Sequence, residues 1–290
     1  MRAAVATFFV SLLALSLAVG AVSAQTVDGG RGALPLRVPA GYDGDRPVPL
    51  VVTLHGYTSS GEGIEAYMKY EDLADSHGFL LVSPDGTRES GGDNNRFWNA
   101  SKACCNFMDS AVDDSAYVLA LINAVKSEYN VDPKRVYLIG HSNGGFMAYR
   151  AAYDHSDTIA AIVSLAGAAS TVDRSAPANP VHVLQIHGTD DATIAYEGRE
   201  IRGSAYPGAV ATVERWARYN GCAVEGTAGG TRDLEGKLSG AETTVTRYVT
   251  TCNAGGSSEL WSMAGGSHVP SLSSTFNREV IGWLFAHPKP

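Results

Sequence analysis

The stretch RVYLIGHSNGGFMAYRAAY at residues 135–153 decides how this chain folds. Arg135 to Ile139 form an apolar run of strand length, and residues 146–153 follow with helical periodicity. Between them lies GHSNG at residues 140–144, a G-x-S-x-G pattern that arises often by chance when it stands alone. A strand before the pattern and a helix after it are the context in which such a turn lifts a nucleophilic serine, here Ser142, above a sheet.

Apolar runs of strand length alternate with helical segments on both sides of that turn. Further strands are predicted at Pro49–Leu54, Phe79–Ser83, Ile159–Leu165, Val181–Ile186, Thr243–Thr250 and Glu259–Met263. Helices are predicted at Glu62–His77, ended by Gly78, at Asp113–Tyr129 and at Phe276–Phe285, with a turn at Asp132-Pro133. Continuous apolar strands separated by helices favour an α/β fold, a doubly wound and mostly parallel sheet with helices on both faces. Ligands of such sheets bind at the carboxyl ends of the strands.

The amino terminus has the features of a secretory signal peptide. Arg2 gives a short positive start, residues 3–19 are apolar, and small residues at positions 22–24 suit a cleavage site. The apolar stretch is short for a membrane span, and no basic stop-transfer cluster follows it. We therefore expect a signal peptide at residues 1–24, a single catalytic domain at residues 25–290, secretion from the cell and no association with a membrane.

The charge balance argues against a nucleic-acid partner. The 290 residues carry a formal net charge of −8, and removal of the signal peptide with its one charged residue, Arg2, makes it −9. No cluster of lysine and arginine interrupts this acidity. An acidic surface chiefly keeps an exported protein in solution.

The four cysteines are Cys104, Cys105, Cys222 and Cys252. An even number in an oxidising compartment predicts two disulfides, and four cysteines allow three pairings. The favoured pairing is Cys222–Cys252, which leaves Cys104–Cys105 as a strained vicinal bond or as free thiols. Metal binding is disfavoured because the sequence has no C-x-x-C pair and no histidine cluster.

A serine hydroxyl needs a base and an orienting acid, which in this fold follow the serine in the order acid, then histidine. The sequence HGTDD at residues 187–191 follows one predicted strand, and GGSH, ending at His268, follows another. His268 is therefore the predicted base. Spacing from the strand favours Asp191 as the acid over its neighbour Asp190.

The oxyanion that forms when a serine attacks a carbonyl group needs two N–H donors. The backbone N–H of Asn143, directly after Ser142, is one candidate, and that of Tyr57, in the loop after the strand Pro49–Leu54, is the other. Three other histidines adjoin motif glycines and are expected to make structural hydrogen bonds: His55, His141 and His187.

Four ordered motifs make the chain resemble a known family from about Leu34 to its carboxyl terminus. These motifs are LHGYTSSG at 54–61, GHSNGGFMAYR at 140–150, HGTDD at 187–191 and GGSHVP at 265–270. The chain resembles secreted poly(3-hydroxybutyrate) depolymerase-like and feruloyl esterases, which are α/β-hydrolases. Members resembling it carry the acid at the position of Asp191. They also carry a Trp-Asn, a Cys-Cys and an Asp-Asp pair, which match residues 98–99, 104–105 and 113–114.

The resemblance implies ester hydrolysis through an acyl-enzyme, without a metal or another cofactor. Feruloyl or other hydroxycinnamoyl esters are the favoured substrates, because no appended binding domain or Ser/Thr-rich linker typical of polymer depolymerases is present in this sequence. Trp98, Tyr57 and Tyr196 are candidates to line an aromatic acyl pocket. Aliphatic polyesters such as poly(3-hydroxybutyrate) are the alternative substrates, and a non-catalytic binding protein on the same fold is the alternative of a different class. Whether the loop at residues 91–109 acts as a lid is left open.

Overall fold

A computed structural model describes residues 25–290, and the signal peptide expected at residues 1–24 lies outside the described residues. The strands are β1 Thr26–Asp28, β2 Ala33–Arg37, β3 Val48–Leu54, β4 Leu80–Val82, β5 Thr87–Arg88, β6 Arg96–Phe97, β7 Val131–His141, β8 Ala161–Leu165, β9 His182–Gly188, β10 Gly198–Ile201, β11 Ser204–Pro207, β12 Thr227–Arg232, β13 Thr243–Tyr248 and β14 Ser257–Met263. The helices are α1 Gly61–Met68, α2 Glu71–His77, α3 Asp114–Glu128, α4 Asn143–Asp154, α5 Ala209–Tyr219 and α6 Phe276–Phe285.

A ten-stranded sheet runs in the order β1-β2-β4-β3-β7-β8-β9-β14-β13-β12. The six central strands from β4 to β14 pair parallel to one another, and the two strands at each edge pair antiparallel. Strand β7 lies among the parallel strands, so the turn after it opens at the carboxyl edge of the sheet. The predicted α/β fold, a mostly parallel sheet with helices, is confirmed.

Helices cover both faces of the sheet, as the continuous apolar strands predict. In β7, Val136 and Leu138 belong to the core under α3 and α4, while Tyr137 and Ile139 belong to the core under α1, α2 and α6. Successive side chains of a strand point to opposite faces, so a strand buried on both sides needs an unbroken apolar run. Burial of each such large side chain contributes about 1.5–3 kcal/mol relative to exposure. This packing fixes β7, and with it the position of the turn that follows.

The single helix predicted over residues 62–77 is wrong, because the structure has two helices there. Lys69 adopts a left-handed backbone with φ 56° and ends α1, and Tyr70 is fully buried between α1 and α2. The Glu65 carboxylate accepts the backbone N–H of Glu71 at 3.0 Å, which satisfies the start of α2. Gly78 ends α2 in the left-handed conformation, as the sequence predicts.

The turn predicted at Asp132-Pro133 lies inside β7 instead. The pairing of β7 with β3 shifts between Val131 and Val136, so the intervening residues form an irregular segment at the start of the strand. A local bond of the expected kind is present, since Asp132 accepts the backbone N–H of Lys134 at 2.9 Å. The turn-like hydrogen bond is therefore present, but pairing with β3 places these residues within the strand.

A disulfide and a buried asparagine stabilise the amino edge of the sheet. Cys222 and Cys252 are bonded, across a separation of 30 residues, as predicted. The buried side chain of Asn220 donates to the carbonyl oxygens of Val181 at 2.8 Å and Ser257 at 3.1 Å. These contacts fix the starts of β9 and β14, the two strands whose far ends carry Asp191 and His268.

Candidate active site

Ser142 stands on a sharp turn between β7 and α4. Its backbone has φ 54° and ψ −120°, a conformation that is strained for a residue with a side chain. A Cβ atom at Gly140 would overlap the backbone of Gly144, and one at Gly144 would overlap the carbonyl of Leu54. The glycines therefore let the turn close against the neighbouring strand. Ser142 is 7% exposed and lies at the amino terminus of α4.

His268 connects Ser142 with Asp191. Its Nε2 lies 2.9 Å from Ser142 Oγ, and its Nδ1 lies 2.8 Å from Asp191 Oδ2. The three residues follow β7, β9 and β14, whose carboxyl ends meet at one edge of the sheet. The ring of His141 supports this loop, because its Nε2 lies 3.0 Å from the backbone oxygen of His268. In this arrangement a proton can pass from the serine hydroxyl to the imidazole.

Four donors surround the Asp191 carboxylate. Oδ1 accepts the backbone N–H groups of Thr193 and Ile194, each at 2.8 Å, and Oδ2 faces His268 and, at 3.2 Å, Nε2 of His187. Burial would raise the pKa of this carboxyl. The hydrogen bonds from His187, His268 and the backbone of Ile194 outweigh it and hold the pKa well below the usual value of 3.8. Asp191 is therefore an ionised, fixed partner for His268.

The neighbouring acid is placed differently. Asp190 is exposed, and its side chain accepts from the hydroxyl of Thr189 at 3.4 Å rather than facing the imidazole of His268. Of the two adjacent acids, the structure brings only Asp191 to His268.

His55, His141 and His187 make structural hydrogen bonds, in agreement with the sequence-based expectation. His55 Nε2 accepts the backbone N–H of Gly86 at 2.9 Å, so that ring ties two loops together. Burial lowers the pKa of His141 to about 4, because the charged ring would lose its hydration. The sequence did not indicate that His187 also contacts Asp191.

The two expected oxyanion donors lie on the segments that flank Ser142. Within residues 25–290, the backbone N–H groups of Tyr57 and Asn143 donate to no protein acceptor. A Cβ atom at Gly56 would lie 3.4 Å from the Cβ of Ser142, so the loop that carries Tyr57 passes directly beside the serine. Two free N–H groups next to a hydroxyl can accept a developing negative charge.

Trp98 joins these two segments, and its predicted place in an acyl pocket is wrong. The ring is fully buried, and its Nε1 donates to the His55 carbonyl at 3.0 Å. The backbone N–H of Trp98 donates to Asn143 Oδ1 at 2.7 Å, and the amide of Asn143 donates back to its carbonyl at 3.0 Å. A ring without exposed surface cannot line a pocket for a substrate, so Trp98 holds the Tyr57 and Asn143 segments together instead.

Tyr196, also expected to line the acyl pocket, packs against the protein instead. Its hydroxyl bonds with Ser262 Oγ at 2.6 Å, and its ring packs on the edge of the His187 ring and against a small apolar cluster under α5. Tyr196 thereby supports the loop after β9.

The segment that contains the Cys-Cys pair is anchored to α3 and α4. Cys104 and Cys105 are joined by a disulfide. The fully buried carboxylate of Asp114 accepts the backbone N–H of Asn99 at 2.6 Å and pairs with Arg31 at 2.7 Å. The Trp-Asn, Cys-Cys and Asp-Asp pairs of the sequence therefore form one framework beside Ser142.

Apolar side chains are exposed on the loops around this edge of the sheet. Met108 is 50% exposed, Val172 55% and Val269, next to His268, 56%. A cavity of about 190 Å³ lies between residues 101–103, 169–172 and 204–206. These three exposed side chains, the apolar rim, lie on the segments that follow β6, β8 and β14.

The ring of Phe107, next to Met108, lies between Tyr57 and Arg202. It meets the Tyr57 ring edge-on with centroids 5.3 Å apart, and the Arg202 guanidinium lies 4.1 Å from its centroid. The Tyr57 hydroxyl donates to Glu89 at 2.6 Å, which fixes the ring against the β5–β6 segment. Phe107 thus connects the β10–β11 hairpin to the loop that carries Tyr57.

Two further findings concern residues 25–290, the part of the chain that the structure describes. This part of the chain contains no group of three histidine, cysteine, aspartate or glutamate side chains that could hold a metal ion. It also has no helix both long enough and apolar enough to cross a membrane.

Comparison with known proteins gives a family match over more than half of the chain. The model of the phospholipase/carboxylesterase family matches residues 42–210. The match includes Tyr57, Ser142, Asn143 and Asp191, and it ends before His268. The assignment of His268 rests instead on the distance of 2.9 Å between its Nε2 and Ser142 Oγ.

Individual relatives are similar over shorter segments. Feruloyl esterase B of Piromyces equi is 30% identical over 199 residues, 66% of this chain and 36% of that protein. Poly(3-hydroxyalkanoate) depolymerase C of Paucimonas lemoignei is 29% identical over 130 residues, 45% of this chain and 30% of that protein. The chain thus spans about a third of the length of each. These names agree with the family resemblance noted from the motifs.

Solved structures agree with the fold. The acetyl xylan esterase from Aspergillus awamori superposes with a TM-score of 0.63, covering 91% of this chain and 99% of that one, at 16% sequence identity. At this level of identity the likeness concerns the architecture alone. The arrangement of strands and helices described above is therefore one that known α/β-hydrolases share.

Proposed function

Because the chain belongs to the phospholipase/carboxylesterase family, we propose that it hydrolyses carboxylic esters through an acyl-enzyme formed on Ser142. The observation that carries this proposal is the hydrogen-bonded line from Ser142 through His268 to Asp191, with distances of 2.9 and 2.8 Å. A serine in a strained turn, a base on its hydroxyl and an ionised acid on that base are the parts that nucleophilic acyl transfer needs.

In the first half of the reaction, Ser142 Oγ attacks the ester carbonyl while His268 takes its proton. Asp191 keeps Nδ1 of His268 protonated, so Nε2 is free to accept, and it stabilises the imidazolium that forms. The N–H groups of Tyr57 and Asn143 donate to the oxyanion of the tetrahedral intermediate. Loss of one such donor typically costs about 10²–10³ in rate.

In the second half, His268 donates its proton to the leaving alcohol and an acyl-serine remains. Water then enters and attacks the acyl carbonyl while His268 removes a proton from it. The tetrahedral intermediate collapses as His268 returns that proton to Ser142 Oγ, which releases the acid and regenerates the serine. Each step moves a proton between the substrate, water and two side chains of this chain. The proposed reaction needs no metal and no other cofactor.

Feruloyl or other hydroxycinnamoyl esters are the proposed substrates. The relatives named as feruloyl esterases support this choice, as does the apolar rim formed by Met108, Val172 and Val269. An aliphatic polyester is the second candidate, favoured by the relative named as a depolymerase and by the exposure of the same apolar side chains. The enzyme is proposed to act outside the cell after removal of residues 1–24.

The test compares the purified protein with its Ser142→Ala variant on methyl ferulate and on a suspension of poly(3-hydroxybutyrate). We expect serine-dependent release of ferulate and little clearing of the polymer. Clearing of the polymer with little ferulate release would replace the proposed substrate by a polyester. Equal rates for both proteins on every ester would contradict ester hydrolysis by Ser142.

A further inference from the structure

A buried row of polar side chains leads from Asp191 along β9 to α4. Gln185 and His187 project from alternate positions of β9 and therefore share one face of the strand. Gln185 is fully buried and His187 is 1% exposed. Tyr149 of α4 donates its hydroxyl to Gln185 Oε1 at 2.9 Å. The mechanism described above uses none of these three side chains.

Two backbone carbonyls fix which atoms in this row carry protons. Gln185 Nε2 lies 2.8 Å from the carbonyl oxygen of Gly167, which can only accept, so the amide nitrogen must face that way. The same nitrogen lies 3.0 Å from Nδ1 of His187 and donates to it, so Nδ1 carries no proton. The proton of the neutral ring is then on Nε2, which faces the carbonyl of Ile194 at 2.8 Å. The contacts at Nδ1 and at Nε2 of His187 thus indicate the same tautomer, with the proton on Nε2.

We propose that Gln185 and His187 are positioning residues for the acid of the triad. Gln185 holds His187 as the Nε2–H tautomer, and His187 shares that proton between the carbonyl of Ile194 and Asp191 Oδ2, 3.2 Å away. The carboxylate is thereby kept ionised and turned towards His268. This role rests on the proposed function, since it concerns how the same triad is held.

The opposite tautomer would reverse these contacts. Nδ1–H of His187 would point at an amide N–H of Gln185, and the bare Nε2 would face two oxygens that cannot donate, those of Ile194 and Asp191. The charged and titratable groups around His187 are Asp191, His268 and His141, with the Tyr196 ring on one edge. Among them, Asp191 gains or loses a donor directly with the tautomer.

The direct test is nitrogen NMR of the imidazole rings in the uniformly ¹⁵N-labelled protein at neutral pH. We expect His187 to show a protonated Nε2 and an unprotonated Nδ1. A protonated Nδ1 at His187 would overturn the positioning role. This readout does not depend on turnover, so inactivity on every ester would defeat the proposed function, whereas the wrong tautomer would defeat this inference alone.

A matched pair of variants separates positioning from packing. Gln185→Glu keeps the shape but presents a carboxylate to Nδ1, so His187 gains a proton there and forms an ion pair with it. The positive ring lies beside Asp191, 3.2 Å from Oδ2, whereas the new carboxylate lies on the Nδ1 side of the ring, farther from Asp191. The positive charge of the His187 ring competes with the imidazolium of His268, and the acidic limb of the pH–kcat/KM profile should move down by about one pH unit. Because the same imidazolium forms in the transition state, kcat/KM at the plateau should fall about tenfold.

Gln185→Met is the matched variant: it keeps the side-chain length but removes the N–H donor to Nδ1, so only the carbonyl of Ile194 still favours the Nε2–H tautomer. Part of its His187 should therefore shift to the Nδ1–H form, and its acidic limb should move by less than that of Gln185→Glu, about 0.3 pH units, because no charge is introduced. An equal shift of the limb in both variants, or no shift in Gln185→Glu, would mean that Gln185 only fills space.

Discussion

Two serine–histidine pairs lie at opposite ends of the same sheet, and only one of them is built like a catalytic site. At the carboxyl edge, Ser142 Oγ lies 2.9 Å from Nε2 of His268. At the amino edge, Ser257 Oγ lies 2.7 Å from Nδ1 of His182. The two serines are equally buried, 7% and 6% exposed. A short serine–histidine distance therefore does not by itself distinguish a nucleophile.

The difference lies in what surrounds each pair. His268 has the ionised Asp191 on its other nitrogen, whereas His182 is protonated with difficulty. Burial, and then the nearby ring of His287, lower the pKa of His182 to about 3. A base that weak cannot hold a serine proton near neutral pH. Only Ser142 has the strained backbone and the free N–H groups beside it.

Removal of each serine in turn gives the largest expected contrast. Ser142→Ala should lower kcat on methyl ferulate by about 10⁶-fold, since the nucleophile is lost. Ser257→Ala should leave kcat/KM within about twofold, because it loses one structural hydrogen bond far from the reacting atoms. Initial rates of the two variants check this, and a large loss in Ser257→Ala would mean that the amino-edge pair takes part.

The adjacent acids give the next contrast, within the carboxyl edge itself. Asp191→Asn should lower kcat by about 10⁴-fold, because the amide no longer enforces the correct tautomer of His268. Asp190→Asn should change it by less than about threefold, since that side chain is exposed and faces Thr189. Circular dichroism confirms folding of both, and similar losses in the two would contradict the assignment of Asp191.

The amino edge of the sheet is expected to contribute to stability and not to catalysis. Replacement of Cys222 and Cys252 together by serine opens a loop of about 30 residues and should lower the free energy of unfolding by about 3–4 kcal/mol. Urea denaturation measures this, and kcat/KM of the folded variant should change little. A variant as stable as the parent, or a folded variant without activity, would contradict the assignment of stability to the amino edge and of catalysis to the carboxyl edge.

Acid should weaken the fold through buried histidines at both edges. The pKa of His141 is depressed by burial to about 4, against 6.5 for a free ring, so the unfolded chain binds a proton that the folded chain refuses. The stability from His141 is therefore full above pH 6.5 and is lost as the pH falls towards 4. It amounts to at most about 3 kcal/mol.

Urea denaturation of the parent and of His141→Gln, between pH 7.5 and 4.5, checks that slope. The variant should lose less stability than the parent over this range, because one proton-binding site is gone from its unfolded state. Asp191 does not interfere, since its contribution disappears only below the ordinary carboxyl pKa of 3.8. Identical slopes would show that His141 is not held neutral.

The strand–turn–helix around Ser142 was predictable because each of its parts carries its own local signal. Buried parallel strands give unbroken apolar runs, and the order of Ser142, Asp191 and His268 along the chain placed all three at one edge of the sheet. The pairing of Gln185 with His187 was visible in principle, since positions two apart in a strand share a face. The helix α5 was not predicted, although its sequence carries a signal: Ala209, Val213, Trp216 and Ala217 are buried at helical spacing.

Other features have no local signal. Trp98 stands alone in a polar loop, so nothing in its neighbourhood distinguishes a buried ring from a pocket wall; its position depends on Asn143, 45 residues away. The break at Lys69 is similar, because the segment has helical composition throughout and the interruption comes from burial of Tyr70. Such features are set by tertiary packing, which overrides local preference.

The central claim, that Ser142 and not another serine is the nucleophile, is tested most directly by a fluorophosphonate probe followed by intact mass and peptide mapping. We predict one covalent adduct per chain, on the peptide that contains Ser142, and no adduct on the Ser142→Ala variant. An adduct on Ser257 or on the Ser142→Ala variant would place the nucleophile elsewhere. A protein that stays unlabelled while folded would be a binding protein that has kept the geometry without the chemistry.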